Sequence, residues 1–94
     1  MRYVIKTNKT KLYQFVKGCS GLELPSMKSF EFEKVGYSYL LTSYRYTFYL
    51  SSVCGKPLLR IREYISDELP QRERVVYPSV EYLLEGGLLQ EVSQ

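Results

Sequence analysis

Two apolar periods alternate along this chain. Residues 2–7, RYVIKT, alternate apolar with polar and predict a short first strand. From Asn8 the period lengthens: Leu12, Phe15, Val16 and Cys19 recur at i, i+3, i+4 and i+7, the stripe of an amphipathic helix. Asn8 or Thr10 is its expected cap, and Gly18 and Gly21 suit its end. After a connection marked by Pro25, KSFEFEK (28–34) returns to strict alternation, with Phe30 and Phe32 on one face and Glu31 and Glu33 on the other. Val35-Gly36 reads as a bulge or turn. YSYLL (37–41) and YRYTFYLSSV (44–53) read as two strands or one long bent one, and Cys54-Gly55-Lys56 as a turn.

PLLRIREYI (57–65) is the clearest strand. Leu59, Ile61, Glu63 and Ile65 share one face, and Leu58, Arg60, Arg62 and Tyr64 the other. A loop with Pro70 follows, then a strand RERVVY (72–77). Pro78 suits the first turn of a helix whose stripe is Val80, Leu83, Leu84 and Leu88, weakened or ended by Gly86-Gly87. The order β-α-β-β-β-β-α predicts a single α+β domain: an antiparallel sheet of four to five strands with an N-terminal and a C-terminal helix.

Composition adds one anomaly to this outline. Ten tyrosines and four phenylalanines, with no tryptophan, crowd a chain of 94 residues. Tyrosine joins a large apolar ring to a polar tip and favours strands and interfaces. In SYRYTFYL (43–50), Tyr44, Tyr46, Phe48 and Leu50 fall on one strand face and read as core, whereas Arg45, Thr47 and Tyr49 fall on the other. So short a chain buries little surface, which makes a homodimer a reasonable expectation.

Charge is uneven. Residues 1–62 hold eleven Lys and Arg against three Glu, a balance of +8; residues 63–94 hold two Arg against seven acids, −5, giving the net +3. Two readings stay open: a basic surface for an anionic partner, or halves that interleave in space and cancel. Cys19 and Cys54 are too few for a disulfide framework and have no metal-type spacing, so two free thiols are expected. MRYVIKTNKTKLYQF has a charged start but no apolar run behind it, and no stretch approaches the ~20 apolar residues of a membrane span. The expected location is the cytoplasm, with no membrane partner.

Catalytic chemistry is thin. The chain has no histidine, which removes the commonest general base and the usual triads and zinc sites. GKPL (55–58) lacks the upstream glycine and the Ser or Thr of a phosphate-binding loop. The neighbouring acids Glu63, Asp67 and Glu68 read as a solvated loop rather than a metal or acid–base pair. A histidine-free ribonuclease built from Arg45, Arg60, Arg62 and Tyr64 has suitable side-chain types and nothing more. No enzyme, cofactor or metal is expected.

Basic and aromatic residues sharing a strand face are the better signal. If the strands on either side of Cys54-Gly55-Lys56 pair antiparallel, Arg45 and Tyr49 join Arg60, Arg62 and Tyr64. Arginine binds phosphate and stacks on bases, and tyrosine offers a platform for an unstacked base. The plain alternative is a solvated face whose arginines pair with Glu31, Glu33 or Glu73.

GKPLLRIREYISDELPQRERVVYPSVEYLL (55–84) resembles the C-terminal single-stranded-DNA-binding domain of the positive-coactivator family, a relative of the Whirly proteins. IREY (61–64) matches that family's core strand, RERVVY (72–77) stands in the place of its basic strand, PSVEYLL (78–84) begins its helix, and YRYTFYLSSV (44–53) would be the preceding strand. The resemblance implies a curved antiparallel sheet, dimerisation through the helices, and single strands bound across the sheet. Arg62 and Tyr64 match the core motif, and Arg72 and Arg74 match the basic strand loosely; residues 2–34 lie outside it.

These readings converge on a small protein binding single-stranded DNA or RNA through Arg45, Tyr49, Arg60, Arg62 and Tyr64, with Lys56, Arg72 and Arg74 as electrostatic support. The alternative is a compact inhibitor or adaptor, of the kind carried by phages and mobile elements, that holds a host protein through the same tyrosine- and arginine-rich surface.

Overall fold

A twelve-residue helix and a sheet of five strands share one apolar core, and both follow from the periods above. The computed structural model describes residues 2–53, 56–64 and 70–92. β1 (Arg2–Ile5) leads into α1 (Lys9–Ser20). Of the two expected caps, Asn8 does the work: its side chain accepts from the Lys11 N–H at 2.9 Å. Gly21 ends the helix at φ 69°, a left-handed conformation that costs glycine least. Leu12, Tyr13, Phe15 and Val16 turn inward, and Cys19 packs half-buried at the margin with its thiol pKa raised by burial against the opposing pull of Arg74.

After a 3-10 turn (Met27–Ser29) the chain runs as a meander: β2 (Glu31–Val35), β3 (Ser38–Thr42), β4 (Tyr46–Val53), β5 (Lys56–Tyr64) and β6 (Pro70–Val76), every neighbour antiparallel. Residues 38–53 are thus two strands, and Gly36 at φ 60° makes the tight turn into the first of them. One sheet face carries Phe32, Tyr39, Leu41, Tyr46, Phe48, Leu50, Leu59 and Ile61 against α1 and Phe30, and this is the core. Phe48, Leu50, Leu59, Leu12 and Val16 have no measurable exposure. Tyr44, expected in this stripe, stands before β4 at the turn and is exposed.

The C-terminal helix differs from expectation. α2 is only Val80–Glu85, capped by Ser79, so Pro78 precedes the helix rather than opening it. Its short stripe buries Leu83, while Val80 and Leu84 are 40% exposed; Leu88, beyond Gly86-Gly87, is fully buried. The chain then forms a strand absent from the sequence reading, β7 (Leu89–Val92), which pairs antiparallel with β1 to make a separate two-stranded sheet. The α+β class with an antiparallel sheet stands, with five strands in the main sheet and two α-helices among the described residues. No helix among the described residues is long and apolar enough to cross a membrane.

Candidate functional site

Because helices cover one face of the main sheet, every second residue of β2–β6 points to the other side. Strand register assembles them into rows. Glu31, Thr42, Thr47, Arg62 and Glu73 lie side by side across the five strands; the next row is Glu33, Leu40, Tyr49, Arg60 and Val75. Ser38, Ser51 and Leu58 lie beyond it, toward Lys56. Arg60 and Arg62 therefore do share a face with Tyr49, and the β4–β5 pairing that this required is present, although Cys54 and Gly55 lie outside the described residues; Tyr64 lies at the end of β5, where the register with β6 shifts between Glu63 and Tyr64.

The two arginines converge on one carboxylate. Arg60 Nε is 3.4 Å from one Glu73 oxygen, and Arg62 Nε donates to the other at 3.2 Å. All three side chains are about two-fifths exposed. Arg60 also lies over the Tyr49 ring, with its guanidinium carbon 6.0 Å from the centroid, and its Nε is buried without a hydrogen bond. The pairing weighed in the sequence against a binding platform is thus realised with Glu73.

A chain of hydroxyls occupies the middle of the face. The Tyr49 OH lies 2.8 Å from Ser38 Oγ, which donates to Ser51 Oγ at 3.0 Å, and both serines are buried. The Ser38 hydroxyl, and after it Ser51, lower the Tyr49 pKa by favouring the phenolate; nearby Arg60 adds to the effect and partial burial opposes it. Leu40 stands half-buried opposite Tyr49 on β3.

The remaining expected residues scatter. Arg45 is exposed in the β3–β4 turn, where its carbonyl accepts from the Tyr64 N–H at 2.7 Å. Lys56 is exposed at the far end of β5 from Arg62, about 20 Å away at the rise of a strand. Arg72 and Arg74 point to the opposite, helix-bearing side of the sheet, since they pair in register with Glu63 and Ile61. Arg74 has a structural partner there: its Nη2 donates to the Ser20 carbonyl at 3.0 Å, where a cation meets the last turn of α1. They do not join the Arg60–Arg62 face.

One alternative weighed in the sequence is realised on this face, and one feature escaped sequence reasoning. The acids of β2 stand on the same face as the arginines, so Lys56, Arg60 and Arg62 are balanced by Glu31, Glu33 and Glu73. Strict alternation had placed Glu31 and Glu33 opposite Phe32, and only the strand order adds that this is the arginine face. Acid-free charge lies elsewhere: residues 1–22 contain five Lys and Arg and no acid, and Lys6 and Lys11 line one depression with Thr7, Asn8 and Gln90. A count over 1–22 rather than 1–62 finds that signal.

Among the described residues no group of three or more His, Cys, Asp or Glu is placed to hold a metal ion; Asp67 and Glu68 lie outside those residues. No family model matches the chain, and no curated protein or solved structure matches it.

Proposed function

We propose that this protein is a non-enzymatic interaction module that docks a protein surface on the open face of its five-stranded sheet. The observation that carries this reading is the balance of that face. Three cations and three acids surround a centre of Leu40, Tyr49, Thr42 and Thr47, and both central arginines are already engaged by Glu73. A nucleic-acid strand needs uncompensated positive charge along its phosphates. A protein partner is served by an aromatic and aliphatic centre ringed by charges of both signs, with arginine and tyrosine as anchors.

Single-stranded nucleic acid is the second reading, favoured by one observation: the acid-free segment that brings Lys6 and Lys11 to one depression. The two readings separate on one titration. Labelled single-stranded DNA and RNA are followed by fluorescence anisotropy at low and moderate salt, with wild type, Arg62→Glu and Lys6→Glu/Lys11→Glu. Docking of protein on the sheet predicts that Arg62→Glu leaves oligonucleotide binding unchanged, whatever its strength. Salt-sensitive binding abolished by Arg62→Glu would show a strand lying across the sheet and would overturn the reading.

A further inference from the structure

The open face is complementary to itself, and we infer that its occupant is a second copy of this chain, an inference that rests on the protein-docking reading above. Across the face the charge is polar. Glu31 and Glu33 stand on β2 at one side, and Arg62 and Arg60 stand on β5, three strands away. Three strand spacings are about 14 Å, so these acids do not reach these arginines within one chain. Each acid nevertheless lies in the same cross-strand row as one arginine: Glu31 with Arg62, Glu33 with Arg60.

Rows of this kind match under a two-fold axis. Let the axis run parallel to the strands, midway between β3 and β4. Rotation lays β2 over the partner's β5 and β3 over the partner's β4, and keeps every row level. Glu31 then faces Arg62 of the second copy, and Glu33 faces Arg60. In the centre Leu40 faces Tyr49, and Thr42 faces Thr47. One row further, Val35 is exposed but Ser38, Ser51 and Leu58 are buried, so the contact rests on the first two rows. Every contact occurs twice, as an isologous interface requires. Sheets stacked in this way keep their strands within about 30° of alignment.

Glu73 fits the same arrangement. β6 lies outside the four overlapping strands, so Glu73 keeps its place beside Arg60 and Arg62 and orients both guanidinium groups. The two accessible rows of the overlap span about 19 Å by 7 Å. That is small beside the ~800 Å² per partner of a standard interface, so the dimer is expected to be weak and salt-sensitive.

Charge exchange tests the pairing. Sedimentation equilibrium is run from low micromolar to several hundred micromolar on wild type, Glu31→Arg, Arg62→Glu, and an equimolar mixture of the two variants. Each variant alone brings like charges together at both copies of the contact, and dimerisation is expected to weaken by about ten-fold or more. In the mixture both contacts again join an acid to an arginine, so heterodimers form with near wild-type affinity. That recovery also shows that the variants are folded.

A wild-type protein that stays monomeric throughout, or a dimer indifferent to these exchanges, overturns the inference. Monomer alone leaves the docking reading in place with a foreign protein as partner. Monomer together with oligonucleotide binding abolished by Arg62→Glu removes both.

Discussion

Ten tyrosines in 94 residues divide by what their rings and hydroxyls touch. Tyr13, Tyr39 and Tyr46 are core residues; Tyr13 donates to the Pro25 carbonyl at 2.7 Å and Tyr39 to the Ile5 carbonyl at 3.3 Å, which satisfies the polar tip of a buried ring. Much of the aromatic excess is therefore packing. Tyr49 is different, because its hydroxyl meets other hydroxyls on the open face. Its folded-state pKa lies below the ordinary tyrosine value, chiefly through Ser38 and then Ser51. Stability from this shift appears as pH rises through the lowered value, is complete above the ordinary value, and vanishes on return to neutral pH. Tyrosine absorbance in the phenolate band should therefore show an early-ionising component that is missing in Tyr49→Phe. That variant should lose more stability in alkali than at neutral pH. Arg74 makes a second prediction at this scale. Its bond to the Ser20 carbonyl ties β6 to the end of α1, so Arg74→Ala should lose about 1–2 kcal/mol in urea unfolding. Arg74→Ala should leave self-association unchanged, since Arg74 faces away from the open side.

At the scale of elements, legibility followed the length and strength of the local signal. α1 and β5 were readable because each carries several repeats of its period, and because Asn8 and Gly21 mark the helix ends chemically. Asn8→Ala should cost about 1 kcal/mol. Gly21→Ala should cost about 1–2 kcal/mol. Nothing lies within 4 Å of a Cβ at Gly21, so that cost is purely conformational and Gly21→Asn should recover part of it. Thermal unfolding of the three variants checks both caps. β7 and the short α2 were not readable in the same way. LQEV is a four-residue strand whose pairing with β1 joins the two ends of the described chain, a contact that no local period announces. Leu88 belonged to the apolar stripe in sequence, yet it enters the core from the turn after Gly87, at φ 74°, rather than from a helix.

For the whole molecule, the sheet's two faces were legible strand by strand, but their combination was not. Periodicity assigned Arg60, Arg62 and Tyr49 to the side away from the core, and the structure agrees. Glu31, Glu33 and Glu73 were all open as partners of these arginines; that Glu73 holds both while Glu31 and Glu33 stand three strands away is decided by strand order. That order turns an apparent basic platform into a balanced surface, and it moves Arg72 and Arg74 to the other side. The claim that this surface docks protein is tested most directly by affinity capture from lysate co-expressing a differently tagged copy, under nuclease treatment, at about 0.15 M and 0.5 M salt, where phosphate contacts are strongly screened. Wild type is compared with a Leu40→Glu/Arg62→Glu face variant and with Lys6→Glu/Lys11→Glu. The prediction is that the protein partner is retained by wild type and by the lysine variant at both salts and is lost from the face variant, whereas the weaker contact with the second copy is seen only at about 0.15 M salt. Captures that vanish with nuclease, or that survive in the face variant, would contradict it.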